Sequence, residues 1–207
     1  MALNSCSPFL KKMIGIKNPV VENTESITNH LIASKVPLQN SYIINCCSDS
    51  SNIFKNILNG LRGEIMLFDS TGLKYCYKGK DRCTGKQLKE AYYDFNKNYQ
   101  PCVNDSIKLQ AILSNAFPVN NDYRPLTNYY IIVFWAKFAG KKTKLLEDYK
   151  WMLSLKNNSS LSSTILFINA DLQENWNLKK GKKMRIKFKL RGKKSAAIHF
   201  GKIPYNK

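Results

Sequence analysis

The chain has 207 residues, 43% hydrophobic and 12% aromatic, which suffices for one good-sized packed domain or two small ones and argues against global disorder. Its charge is lopsided, with 33 Lys and Arg against 14 Asp and Glu for a net +19, so it favours anionic partners (nucleic acid, anionic lipid, acidic glycans) unless it is only a lysine-rich solvated surface. No apolar run reaches the ~18 residues of a membrane span, no C-x-x-C occurs, and His30 and His199 offer no zinc spacing, so neither metal nor cofactor is called for.

Residues 1–25 read as tether and loop. "SITNHLIAS" (26–34) suits a short helix with Ile27, Leu31 and Ile32 on one side, and its lone His30 reads as a surface or packing residue. "SYIINCCS" (41–48) reads as a buried strand on which Cys46 and Cys47 point to opposite faces. A helix should follow over 48–63, with serine and aspartate cap candidates, a 3–4 spacing from Ile53 to Leu61 and a glycine stop. "EIMLFDSTGLKYCYKG" (64–79) reads as a hairpin turning at Asp69-Ser70-Thr71-Gly72, with the glycine supplying positive φ. Helices are expected over 84–98 and 105–117, and Pro118, Pro125 and the Asn/Asp run at 120–122 mark a loop.

The second half is more sharply patterned. "NYYIIVFWA" (128–136) is apolar almost throughout, as befits a central strand covered on both faces. An amphipathic helix follows over 143–157, with Leu145, Leu146, Tyr149, Met152 and Leu153 at helical spacing, and then a second buried strand over 162–171. Strand, helix and strand at this spacing predict a right-handed βαβ crossover with parallel strands. The basic tail alternates from Arg185 to Leu190, turns at 191–194 and returns through His199 and Phe200. That predicts a β-hairpin whose first strand has Arg185, Lys187 and Lys189 on one face, with Ile186, Phe188 and Leu190 toward the core.

A βαβ unit followed by a β-hairpin resembles the core of the thioredoxin fold, and one stretch makes the resemblance concrete. In membrane-tethered thioredoxin-like reductases of bacteria the first strand ends in Phe-Trp-Ala-x-Trp-Cys-x-x-Cys. The same register here reads Phe134-Trp135-Ala136-Lys137-Phe138-Ala139-Gly140-Lys141-Lys142. Ala139 stands where the attacking cysteine would be and Lys142 where the resolving one would be. The chemistry needs a thiolate at the helix start, so the resemblance implies a scaffold without its redox activity. No proline lies between Pro125 and Pro204, whereas the family carries a cis-proline just before its hairpin. Trp135, Lys137, Phe138, Ala139, Gly140, Lys141 and Lys142 become a candidate anion or partner site instead, because N–H groups and lysines converge at a helix start. The alternative is lysines reaching into solvent. The implied architecture is α/β: a three-layer thioredoxin-like sheet over 128–207, preceded by an α/β extension over 26–127 that is expected to share one domain with it.

The first residues, "MALNSC", place Leu3, Ser5 and Cys6 in a spacing that resembles the lipobox of bacterial lipoproteins, followed by a polar and basic segment suited to a tether. The apolar stretch that precedes the box in that family is not in the sequence. The resemblance implies lipidation at Cys6 and placement on the periplasmic face of an envelope membrane; without lipidation the expectation is cytoplasmic. The whole also resembles small lipoproteins of Bacteroidetes-type bacteria that have no assigned activity. If the chain is exported, one disulfide is expected among Cys76, Cys83 and Cys102, with Cys83–Cys102 the preferred pairing.

The leading expectation is therefore a non-catalytic, membrane-anchored protein that acts through binding. The alternative is a binder of nucleic acid or another polyanion through Lys179, Lys180, Lys182, Lys183, Arg185, Lys187, Lys189, Arg191, Lys193 and Lys194, since no acid follows Glu174. The same basic surface could rest on anionic lipid headgroups. Enzymatic activity elsewhere finds little support: Cys46 and Cys47 lack a nearby imidazole by sequence, and nothing pairs Asp69, Asp171 and Glu174 by spacing.

Overall fold

The structure is a computed structural model and describes residues 17, 19–44, 65–80, 84–103, 107–120, 127–139, 142–176, 183–189 and 195–202. In chain order these form β1 (Val21–Glu22), α1 (Thr24–Ala33), β2 (Ser41–Ile44), β3 (Met66–Asp69), β4 (Lys74–Tyr77), α2 (Thr84–Tyr93), α3 (Phe95–Asn98) and β5 (Tyr99–Pro101). They continue with α4 (Leu109–Leu113), β6 (Ala116–Pro118), β7 (Tyr129–Trp135), α5 (Lys142–Asn157), β8 (Ser163–Asn169), β9 (Leu172–Gln173), β10 (Lys183–Lys189) and β11 (Ser195–Lys202).

Seven strands make one sheet in the order β5-β4-β3-β7-β8-β2-β6. Its centre, β7-β8-β2, is parallel, and every other neighbouring pair is antiparallel. The β7–α5–β8 unit accordingly has the parallel strands that its pattern predicts. Alternation along the central strands divides the core in two. Ile131 and Trp135 of β7 join Ile165 and Phe167 of β8 beneath α1, α2 and α5, while Ile132, Phe134, Leu166 and Ile168 join α4 on the opposite face. Both faces are covered, so Ile131–Trp135 and Ile165–Ile168 are apolar at every position rather than at every second one. The protein is thus mixed α/β, with helices on either side of a sheet drawn from both halves of the sequence.

Local chemistry sets several boundaries. The Asn23 side chain accepts the Ser26 N–H at 2.8 Å and starts α1. In the β3–β4 turn, Asp69 Oδ1 accepts the N–H groups of Thr71 (2.9 Å) and Leu73 (3.0 Å), and Gly72 takes φ +86°.

Four expectations need correction. Residues 21–25 are not tether: Val21 and Glu22 are buried and pair in parallel with Leu172 and Gln173, a contact too short to register as periodicity. The helix expected over 84–98 breaks at Asp94, and 99–101 instead extend the sheet beside β4, with Pro101 tolerated on an edge strand. Of the helix expected over 105–117, only Leu109–Leu113 is helical among the described residues, and 116–118 take the free edge of β2. Finally, the C-terminal hairpin forms, with Arg185 opposite His199 and Ile186 opposite Ile198, but as a separate two-stranded sheet. The expected single sheet over 128–207 is therefore not what forms: β7 pairs on one side with β8 and on the other with β3, from Met66↔Ile132 to Asp69↔Tyr129, and β4 and β5 extend that side. The expected helix over 48–63, together with Cys46 and Cys47, lies outside the described residues.

Candidate functional site

Parallel strands β7 and β8 end side by side, and the carboxyl edge of such strands is where open α/β sheets place ligands. The loop leaving β7 is a 3-10 turn over Lys137–Ala139, and α5 begins at Lys142. This is the stretch whose sequence resembles a redox motif. Its backbone is fastened on two sides. The Lys137 N–H donates to Asp171 Oδ2 at 2.7 Å, and the Lys17 N–H donates to the Phe138 carbonyl at 2.7 Å.

Asp171 lies just past the end of β8 and is 1% exposed. Its Oδ2 also accepts from the Asn169 amide at 2.7 Å, and its own N–H donates to Asn169 Oδ1 at 3.0 Å. The Gln173 amide donates to the Asp171 carbonyl at 3.0 Å, closing a buried polar knot. Burial pushes the Asp171 carboxyl up to about 6 from an ordinary 3.8. The hydrogen bonds from the Lys137 N–H and the Asn169 amide oppose that rise, the Glu22 carboxylate adds to it, and the Phe138 N–H opposes it.

A second carboxylate arrives from the other end of the chain. Glu22 is 4% exposed, and its Oε2 lies 2.6 Å from Lys137 Nζ. Lys137 Nζ also donates to Ser26 Oγ at 2.8 Å, and the Ser26 hydroxyl donates to Glu22 Oε2. A serine hydroxyl beside a lysine amine can suggest a nucleophile with its base. Here the hydroxyl spends its proton on Glu22 and its acceptor on Lys137, and the ammonium is neutralised by a carboxylate. The cluster is a closed ion pair that pins β1 and α1 over the strand ends, not an exposed reactive group. At the end of β7, Trp135 is 7% exposed and its indole stacks on His30 of α1 with centroids 5.8 Å apart and planes at 17°.

The residues nominated from sequence therefore divide. Trp135 and Phe138 are buried, and Lys137 is engaged with Glu22, Ser26 and Asp171 rather than presented to an anion. Ala139 closes the 3-10 turn and Lys142 opens α5, while Gly140 and Lys141 lie outside the described residues. On the hairpin, Lys183, Arg185, Lys187 and Lys189 are in β10; Cys6, Lys179, Lys180, Lys182, Arg191, Lys193 and Lys194 lie outside. Glu22, Ser26, Asn169, Asp171 and Gln173 were not nominated. The signal for the last three was present: Asn169, Asp171 and Gln173 are polar at alternate positions directly after the apolar run Ile165–Ile168, yet all are buried.

The disulfide expectation also needs correction. Cys102 is bonded to Cys76, not Cys83, with Cα atoms 5.1 Å apart. The pairing of β4 with β5 is the reason, since the Cys102 N–H bonds the Lys74 carbonyl at 2.9 Å and brings the two cysteines together; Cys83 lies outside the described residues.

Among the described residues no group of His, Cys, Asp and Glu is arranged to hold a metal, and no helix is long and apolar enough to cross a membrane. A recess of about 30 Å³, room for roughly one water, lies between β8 and α5 against Asn40, Tyr149 and Lys156, none of them in this cluster. Compared with protein-family models, curated proteins and solved structures, the chain matches none.

Proposed function

We propose that the chain is a non-catalytic protein of thioredoxin-like architecture, anchored at a bacterial envelope membrane through Cys6 and acting through binding. One observation carries the non-catalytic part. The loop after β7 is tied to Asp171 and to Lys17, and its lysine is neutralised by Glu22, where the resemblance would require an accessible thiol. Ala139 offers a methyl group at the position of the nucleophile. The thioredoxin-like part is supported by the parallel β7–α5–β8 unit with a hairpin at its flank. That hairpin is β3–β4, which precedes the unit in the chain instead of following it. The Cys76–Cys102 disulfide supports an oxidising compartment and hence export.

The test is an insulin-disulfide reduction assay on the purified chain, together with mass spectrometry of Cys6 from membrane fractions. The expected results are no reductase activity above an alkylated control and a diacylglyceryl adduct on Cys6. Turnover that alkylation abolishes would overturn the non-catalytic reading; an unmodified Cys6 in the soluble fraction would overturn the anchor. A second reading, binding of nucleic acid through the C-terminal hairpin, has one observation in its favour: Lys183, Arg185, Lys187 and Lys189 recur at every second position of β10. It predicts nucleic-acid affinity that falls steeply with salt.

A further inference from the structure

We propose that the β10–β11 hairpin is the surface on which this protein rests against an anionic lipid bilayer. Its ladder sorts residues by kind. Arg185, Lys187 and Lys189 stand opposite His199, Ala197 and Ser195, whereas Met184, Ile186 and Phe188 stand opposite Phe200, Ile198 and Ala196. Because strand residues alternate between faces, the first series shares one face and the second the other. Lys183 continues the basic series along β10, and Lys202 pairs with it beyond an irregularity in the register. Neither strand contains an aspartate or glutamate. Like charges at neighbouring positions of a ladder repel unless an anion meets them, and the ribbon carries no anion of its own.

A bilayer fits this basic face better than nucleic acid does. Proteins that track single strands interleave aromatic rings with cations for base stacking. Here both aromatics of the hairpin, Phe188 and Phe200, belong to the apolar series. A planar array of headgroup phosphates asks only for a row of cations, each worth about a fivefold gain in partitioning. The preference for lipid also rests on the envelope reading, since the Cys76–Cys102 disulfide fits a compartment bounded by membrane.

The experiment is co-sedimentation of the full chain, carrying Cys6→Ser so that no acyl group contributes, with phosphatidylcholine vesicles with and without phosphatidylglycerol. Duplex DNA and single-stranded RNA are measured beside them at the same salt. The expected result is salt-sensitive binding to the anionic vesicles alone. Lys187→Gln/Lys189→Gln should weaken it about 25-fold, from two factors of about five, while Lys187→Arg/Lys189→Arg should retain it. Circular dichroism and an intact disulfide verify the fold of each variant. Indifference to phosphatidylglycerol, binding unchanged in the glutamine variant, or tighter binding to either nucleic acid would overturn the proposal. The assay involves neither Cys6 nor the loop after β7. Its failure therefore leaves the non-catalytic reading intact, and insulin reduction would leave this proposal intact.

Discussion

Asp171 should make the protein more stable in mild acid than at neutral pH. Its carboxyl titrates near 6 in the folded chain, against 3.8 when unperturbed, because burial penalises the ionised form more than its hydrogen bonds favour it. The folded state therefore binds the proton more tightly than the unfolded state. Stability from this group rises as pH falls through the folded value and levels off below the unfolded one. The ionised carboxylate costs about 3 kcal/mol at pH 7 and about 1.6 kcal/mol at pH 5, by linkage between those two values. Acidification from pH 7 to about pH 5 should thus contribute about 1.3 kcal/mol of stability through Asp171 alone. Urea unfolding of the oxidised protein at both pH values, with Asp171→Asn in parallel, measures it. The substitution keeps an oxygen for the Lys137 N–H and removes the titration, so the informative quantity is the difference between the two proteins' pH slopes, not the absolute stability of either. Equal slopes would refute the argument and mean that water reaches this carboxyl.

Lys137→Met should cost about 3–5 kcal/mol, because it strands the 4%-exposed Glu22 carboxylate without its cation; the double variant with Glu22→Gln should recover part of that loss, and urea midpoints of the three proteins give the coupling. Cys76→Ala/Cys102→Ala should lower stability by about 3.5 kcal/mol from loop entropy, the bond spanning 26 positions, and reduction of the wild type should shift its midpoint by a similar amount. Phe68→Ala empties a fully buried position on β3 and should cost about 3–5 kcal/mol by the same assay.

Much of the sheet was legible because its information is local. A strand apolar from Ile131 to Trp135, an amphipathic helix and a second strand apolar from Ile165 to Ile168 can become a parallel βαβ unit in few other ways. The Asp69–Gly72 turn announces itself through one side chain that caps its own backbone and one glycine with φ +86°. Short edge strands were not legible. Three residues, as in β5 and β6, are too few to show a period.

The candidate site was the least legible part, since its pairs come from far apart. Glu22 meets Lys137 across 115 positions and Asp171 meets Lys137 across 34. Nothing near Lys137 in the chain distinguishes a lysine that will bind an anion from one that will be neutralised by a buried glutamate. By itself the sequence determined that Ala139 carries a methyl group and no thiol, because a residue's chemistry needs no partner to be known. Only the tertiary structure decided that the loop is closed, that Cys102 bonds Cys76 rather than Cys83, and that β3 instead of the C-terminal hairpin flanks β7. Each of those outcomes is a choice among partners, and partner choice depends on which edges and charges meet in space.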